Sequence, residues 1–279
     1  MAKSIYPCLW FDGNAKEAAE FYCSVFENSK VSSDNKIVVE FELAGQRFIG
    51  LNGGPMFTKN PSVSFLVVYE TEEEIDKAWA KLSEGGMPLM PLDKYDFSKR
   101  YGWIQDQYGT SWQLYFGNLK DVGQKITPTL MFTREQNGRA KEAIKFYTSV
   151  FDNSSVSGIM EYTEEDPDTT GNVKHAQFTL DGHVFMAMES SLEHPFTFNE
   201  GISFVVECET QKEIDYFWNA LSVGGSEGQC GWLKDQFGVS WQIVPAVLKE
   251  LMSDPGRSKR VMDAFMKMKK FDIEKLLQA

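Results

Sequence analysis

The chain has 279 residues, 42% hydrophobic and 14% aromatic, which is enough for about two domains with cores of their own. Its 28 Lys and Arg against 40 Asp and Glu give a formal charge of −12, which excludes sequence-independent nucleic-acid binding, where phosphates need clustered cations. No apolar run approaches the roughly 18 residues of a membrane span. The first residues also lack the apolar stretch of a signal peptide, so a cytoplasmic protein that binds neither nucleic acid nor membrane is expected.

In chain order, residues 5–11 are short and apolar, a strand that carries Trp10. Asn14 with Glu17 three positions on has capping-box spacing. The helix it predicts puts Ala15, Ala18, Ala19, Tyr22 and Phe26 on one face. Residues 36–43 alternate charged and apolar, Ala44-Gly45 makes a tight turn, and 47–51 return as the partner strand. The scheme then restarts. Residues 63–69 read as a strand, and Thr71 with Glu74 caps a helix whose buried stripe is Ile75, Ala78, Trp79 and Leu82. Gly85-Gly86 stops that helix, and strands near 101–106 and 110–116 close the half.

The second half repeats the first. Gly-Trp-Ile-Gln-Asp-Gln-Tyr-Gly-Thr-Ser-Trp-Gln at 102–113 returns at 231–242 with eight of twelve residues identical. Ala15-Lys16-Glu17-Ala18 returns as Ala140-Lys141-Glu142-Ala143, and Ser64-Phe65 as Ser203-Phe204. Changes in offset locate two insertions. Copy two gains 14 residues around the acidic, turn-rich run at 164–168, and copy one has ten more between Gly86 and Trp103, a loop containing Pro and Tyr. Each half reads as two βαβββ modules, four in the chain, an α+β protein. One module has too little apolar surface to close a core, so paired modules are expected to bury one sheet face under helices and curve the other into a cup.

These residues, above all the run at 227–245, resemble the PhnB-like branch of the vicinal oxygen chelate superfamily, often named 3-demethylubiquinone-9 3-methyltransferase. The resemblance covers about 5–117 and 126–279. It implies two glyoxalase/bleomycin-resistance-like cup domains, residues 1–120 and 121–245, with a C-terminal helical extension at 246–279. Metal-using members of the superfamily hold a divalent cation in the cup. Carried over, the ligand positions fall at Pro7 and Pro128, near Ser62 and Gly201, and at Gln113 and Gln242, where the family's last-strand Glu is expected. Proline has no side-chain donor and an amide oxygen is a weak neutral ligand, so no metal and no cofactor are expected. A methyltransferase using S-adenosylmethionine needs a Gly-rich turn between strand and helix, a context that Gly53-Gly54-Pro55 and Gly85-Gly86 lack.

Gln113 and Gln242 are the sharpest ligand-binding candidates. Strand alternation turns each away from its neighbour Trp112 or Trp241, and in the family's register the glutamines face the cup. Trp103, Trp232 and Trp10 are candidate aromatic walls, with plain core as the alternative. Asp106 and Asp235 precede Gly turns and are expected to bond their own turn backbone. His175, His183 and His194 lack metal-site spacing, and Cys8, Cys23, Cys208 and Cys230 lack a C-x-x-C pair, so these read as lone histidines and reduced thiols. No nucleophile elbow appears, so no catalytic residue is named and the sequence does not specify a reaction.

The tail is +3 against −15 for the rest. Asp254-Pro255 is expected to start a helix whose apolar side is Val261, Met262, Phe265, Met266 and Met268. It is expected to pack on the chain's own acidic body, with a membrane surface or a partner groove as the alternative. The leading expectation is a metal-free small-molecule binder, a monomer with an internal pseudo-dimer or a homodimer. The alternatives are a metal-dependent isomerase or dioxygenase, and a non-catalytic assembly protein whose cups are filled by side chains.

Overall fold

The computed structural model describes residues 4–279; residues 1–3, part of the stretch inspected for a signal peptide, lie outside the described residues. All four modules are βαβββ. The first runs β1 (Ser4–Phe11), α1 (Ala15–Val25), β2 (Lys30–Asp34), β3 (Val38–Leu43) and β4 (Gln46–Asn52). The second runs β5 (Val63–Tyr69), α2 (Glu72–Leu82), β6 (Met87–Tyr95), β7 (Ser98–Gln105) and β8 (Ser111–Phe116), and a single turn, α3 (Leu119–Val122), follows. The third runs β9 (Ile126–Phe132), α4 (Ala140–Val150), β10 (Ser155–Glu161), β11 (Val173–Leu180) and β12 (His183–Glu189). The fourth runs β13 (Ile202–Cys208), α5 (Gln211–Ser222), β14 (Ser226–Glu227), β15 (Trp232–Lys234) and β16 (Ser240–Pro245). The tail forms α6 (Val247–Ser253), α7 (Ser258–Phe265) and α8 (Ile273–Gln278). No helix among the described residues is long and apolar enough to cross a membrane.

The chain divides into a larger unit, residues 7–202, and a smaller one, residues 203–279 with the described residues up to Tyr6. In the larger unit one eight-stranded sheet has the order β10-β11-β12-β9-β5-β8-β7-β6. Its halves meet where β5 lies antiparallel to β9, Ser64 opposite Thr129 and Leu66 opposite Thr127. The repeat boundary near residue 120 therefore falls inside a sheet: sequence copies and hydrogen-bond ladders divide the chain at different places. In the same unit β1 from Pro7 onward runs parallel to β4, followed by β3 and β2. In the smaller unit the order is β14-β15-β16-β13, with residues 4–6 of β1 beside β13.

The duplication shows as paired contacts inside the larger unit. Asn60 accepts from the Ser62 N–H and donates to the Thr197 carbonyl, while Asn199 accepts from the Gly201 N–H and donates to the Thr58 carbonyl. The ladders beside them match, Met131 N–H to the Ser62 carbonyl and Trp10 N–H to the Gly201 carbonyl. An Ala at Gly201 would put its Cβ 2.7 Å from the Thr58 carbonyl, so this close approach requires glycine.

Three local expectations are corrected. Asn14 makes no side-chain cap; the Asn52 carboxamide, across the sheet, accepts from the Ala15 N–H instead. A tertiary partner thus supplies what local spacing suggested. In copy two the buried Glu189 does the same for Ala140, and its other oxygen takes the Val173 N–H. The insertion between Gly86 and Trp103 is a nine-residue strand, β6, paired antiparallel to β7. Its Pro88 and Pro91 hide the strand pattern, and they are tolerated because β6 is an edge. Asp254 starts a turn, and α7 begins only at Ser258. Elsewhere the local signal holds: Thr71 accepts from the Glu74 N–H, and at the equivalent place in copy two Thr210 and Glu213 form a complete capping box.

Candidate functional site

The twelve-residue repeat folds as hairpin β7–β8, and alternation sorts its side chains onto two faces. Trp112 points to the helices, with its ring 5.3 Å from Tyr22 and 4.7 Å from Phe26. Asp106 follows β7 and accepts from the Tyr108 and Thr110 N–H groups with one oxygen and from the Trp112 indole with the other. Asp235 does the same for Phe237, Val239 and Trp241. The aspartates are thus turn-formers that also anchor the core tryptophans. Burial pushes the Asp106 carboxyl above its ordinary range, against the pull of these donors.

Gln113 lies on the opposite face, 3% exposed. Its oxygen accepts from the Tyr101 hydroxyl at 2.8 Å, and its nitrogen donates to the Ser64 hydroxyl at 2.8 Å. Tyr101 is held protonated by burial, which raises its pKa. Beside Ser64, across the β5–β9 ladder, the Thr129 hydroxyl is buried without a hydrogen-bond partner among the described residues. Trp103 on β7 is buried and gives its indole N–H to Ser111 at 2.7 Å. Two apolar clusters flank this polar row. One has Leu66, Val68, Val122 and Met186; the other has Tyr101, Trp103 and Met131, onto which Leu89, Met90, Met188 and Phe196 pack.

The smaller unit keeps only part of this arrangement. Gln242 donates to Ser203 at 2.9 Å, but Cys230 occupies the position of Tyr101, and the amide oxygen has no partner among the described residues. Trp232 is half-buried opposite Gln242, and the buried Ser240 hydroxyl, equivalent to Ser111, lacks a hydrogen-bond partner among the described residues. Tyr6 donates to Glu207 at 2.9 Å. Trp10 belongs to the larger unit but not to the polar row. Its indole bonds the Gly54 carbonyl at 2.7 Å, its ring covers Gly53, and Phe57 meets it edge-on.

The superfamily's divalent cation can be tested against these donors. On the face of the larger unit's sheet that carries Gln113, the central polar atoms are hydroxyls of Ser64, Tyr101, Thr127 and Thr129 and the amide of Gln113. Pro128 and Ser62 at the other carried-over positions add no anionic or imidazole donor. Among the described residues no group of three or more His, Cys, Asp and Glu gathers to hold an ion. This donor set does not fit a Zn, Fe, Ni or Mn centre. The histidines stay apart: His175 is exposed on β11, His183 begins β12, and His194 bonds Ser190 at 2.9 Å. No disulfide joins any of the four cysteines among the described residues.

Lys59 was invisible in the sequence. It is 6% exposed, donates to the Trp10 carbonyl at 2.5 Å, and lies 3.7 Å from the centre of the Phe11 ring. Burial lowers its pKa to about 8, with Asp106 pulling the other way. Its counterpart in copy two is Phe198, packed edge-on against Phe132 at 5.0 Å. Only the repeat offset, pairing Lys59 with Phe198, could have signalled it.

The family model described as 3-demethylubiquinone-9 3-methyltransferase matches residues 3–115 and again 124–244. No relative was found among curated proteins. Among solved structures, the PhnB protein from Bacillus cereus is 41% identical, covering 39% of this chain and 96% of its own, with a TM-score of 0.38. Glyoxalase I from Zea mays is 12% identical, covering 91% of this chain and 97% of its own, with a TM-score of 0.56, a likeness of fold.

Proposed function

The chain belongs, twice over, to the PhnB-like family described as 3-demethylubiquinone-9 3-methyltransferase, and from that premise we propose that it binds a small organic molecule without a metal. The site is the inner face of the sheet β10 to β6. The observation that carries this reading is the buried Thr129 hydroxyl, unpartnered beside the Ser64–Gln113–Tyr101 row and flanked by apolar clusters. An unmade hydrogen bond at a buried hydroxyl costs about 1–3 kcal/mol, and a ligand oxygen or nitrogen placed there recovers it. Apolar walls with a few convergent polar groups are the ordinary make-up of such sites. The ligand is therefore mainly apolar with one carbonyl, hydroxyl or amine. Gln113 fixes the row rather than standing free, since both ends of its amide are engaged.

No step passes through a metal, because the donors do not suit one. Methyl transfer from S-adenosylmethionine finds no support either: Gly53 lies under the Trp10 ring, and Gly85-Gly86 merely ends α2. A protein that acts in the cytoplasm as a binder or a catalyst of modest polarity fits the same site.

The packing of Leu89, Met90 and Phe196 onto Trp103 and Tyr101 favours a second reading, in which the cup is filled by its own side chains and serves assembly. Native mass spectrometry and calorimetry of chelator-treated protein separate the two. A retained or titrated small molecule, weakened about tenfold by Thr129→Val, supports the site. Stoichiometric tight binding of Mn, Ni, Zn or Fe overturns the metal-free reading, and a ligand-free protein that self-associates favours assembly.

A further inference from the structure

A cavity of about 670 Å³ in the larger unit lies apart from the polar row. It is lined by Arg134 and Asn137 just after β9, and by Ser191, Glu193 and His194 in the segment that follows β12. Leu192 and Pro195 give it an apolar side. Its volume lies within the roughly 300–1,000 Å³ of small-molecule sites. His194 packs on Phe196 at 5.0 Å, and Phe196 in turn packs on the Tyr101–Trp103–Met131 cluster. None of the residues of the polar row lines this cavity.

Two opposite charges on this wall do not neutralise each other. Arg134 has one ion-pair partner among the described residues, the adjacent Glu135 at 3.7 Å, and Glu193 has none. The Arg134 backbone is left-handed, with φ of 54°, a conformation that costs a non-glycine residue energy and concentrates at functional sites. The Asn137 N–H bonds the Arg134 carbonyl at 3.1 Å and holds that turn. The side-chain oxygen of Asn137 accepts from Asn172, which directs its amide NH₂ elsewhere as a donor. One nitrogen of His194 faces Ser190, and the other has no partner among the described residues.

We infer that this cavity binds a small zwitterion of the amino-acid class, its carboxylate on Arg134 and its ammonium on Glu193. Arg presents a fork that matches a carboxylate in bidentate fashion, and Glu accepts from an ammonium. A ligand carrying both charges bridges Arg134 and Glu193 and adds no net charge to a chain already at −12. Asn137 and the second His194 nitrogen complete the polar wall, and Leu192 with Pro195 receives an apolar side chain.

The test is calorimetry or ligand-observed NMR on the full chain with the twenty amino acids, followed by leucine, N-acetylleucine and leucinamide on the unmodified protein. Saturable binding of at least one amino acid is expected. Blocking either charge of leucine, or introducing Arg134→Gln or Glu193→Gln, weakens binding about tenfold or more, the worth of one charge-assisted hydrogen bond. The residual binding of N-acetylleucine is indifferent to Glu193→Gln, and that of leucinamide to Arg134→Gln. Both substituted side chains are solvent-accessible, so the variants retain the wild-type melting temperature. No binding by any amino acid up to on the order of 10 mM, or equal binding by blocked and unblocked leucine, overturns the proposal. Thr129→Val leaves this binding unchanged, which keeps the outcome separate from that of the cup.

Discussion

The two copies solve the same packing problem at β7 and at β15 by different means. In copy one the insertion lengthens this edge into the nine-residue β6, which pairs along β7, with Met90 opposite Trp103 and Asp93 opposite Tyr101. In copy two β14 is two residues long, and the tail takes over. The Met268 and Lys269 carbonyls accept from the Cys230 and Gly231 N–H groups at 2.7 Å each. Phe271 is fully buried against Gly231, where a Cβ would lie 2.5 Å from its ring. Gln211 on α5 bonds the backbone of Phe271 and Ile273, and Lys270 pairs with Asp215. A strand edge exposes unpaired N–H groups that need partners, and a segment remote in sequence supplies them as well as an adjacent hairpin does. The expected apolar side of the tail is only partly used: Val261 is buried, Met266 is exposed, and the anchors are Val261, Phe271 and Leu276.

The largest effect expected from breaking this comparison is at what the copies share. Asp106→Ala or Asp235→Ala strands two backbone N–H groups and an indole N–H, costing about 4 kcal/mol by urea unfolding, and Asn in place of Asp costs less. Next comes the tail. Phe271→Ala costs about 3 kcal/mol from the cavity left behind and exposes Cys230 and Gly231 to faster hydrogen exchange, with no such change at Tyr101 and Gly102.

Third, Gln113→Ala costs about 2 kcal/mol and Gln242→Ala about 1, because the first amide makes two hydrogen bonds and the second makes one. Equal losses by chemical denaturation would place Tyr101 outside the row. The smallest effect is on the pH axis. The folded pKa of Lys59, about 8, lies below its unfolded value, so above pH 8 the unfolded chain binds more protons and this residue's contribution to stability rises with pH. The gain is less than about 1 kcal/mol between pH 7 and 8.5, and Lys59→Met removes it, as comparative unfolding at the two pH values would show.

Much of this was legible in the residues because it is local. The modules follow from period and turn chemistry. Ala44 and Gly45 both take positive φ, as a two-residue hairpin turn demands. The aspartates before Gly109 and Gly238 bond their own turns, as Asx chemistry predicts. What escaped depended on partners distant in sequence. Asn52 rather than Asn14 caps α1, prolines hid β6, and Lys59 is buried only because Phe11 and the Trp10 carbonyl receive it. The glutamine candidates were visible from the repeat, but their hydrogen-bond partners were not. Tyr101 against Cys230 at one position decides whether the amide is engaged at both ends.

The sequence by itself determined the four modules, the duplication and the face on which each repeated side chain lies, because backbone period and turn stereochemistry act over a few residues. Tertiary structure alone decided that β5 pairs with β9 across the repeat boundary, that the tail stands in for a missing strand, and that the Thr129 hydroxyl is left without a hydrogen-bond partner among the described residues. Those outcomes depend on which distant segments find each other's unpaired N–H groups and apolar faces, and many pairings share the same local pattern.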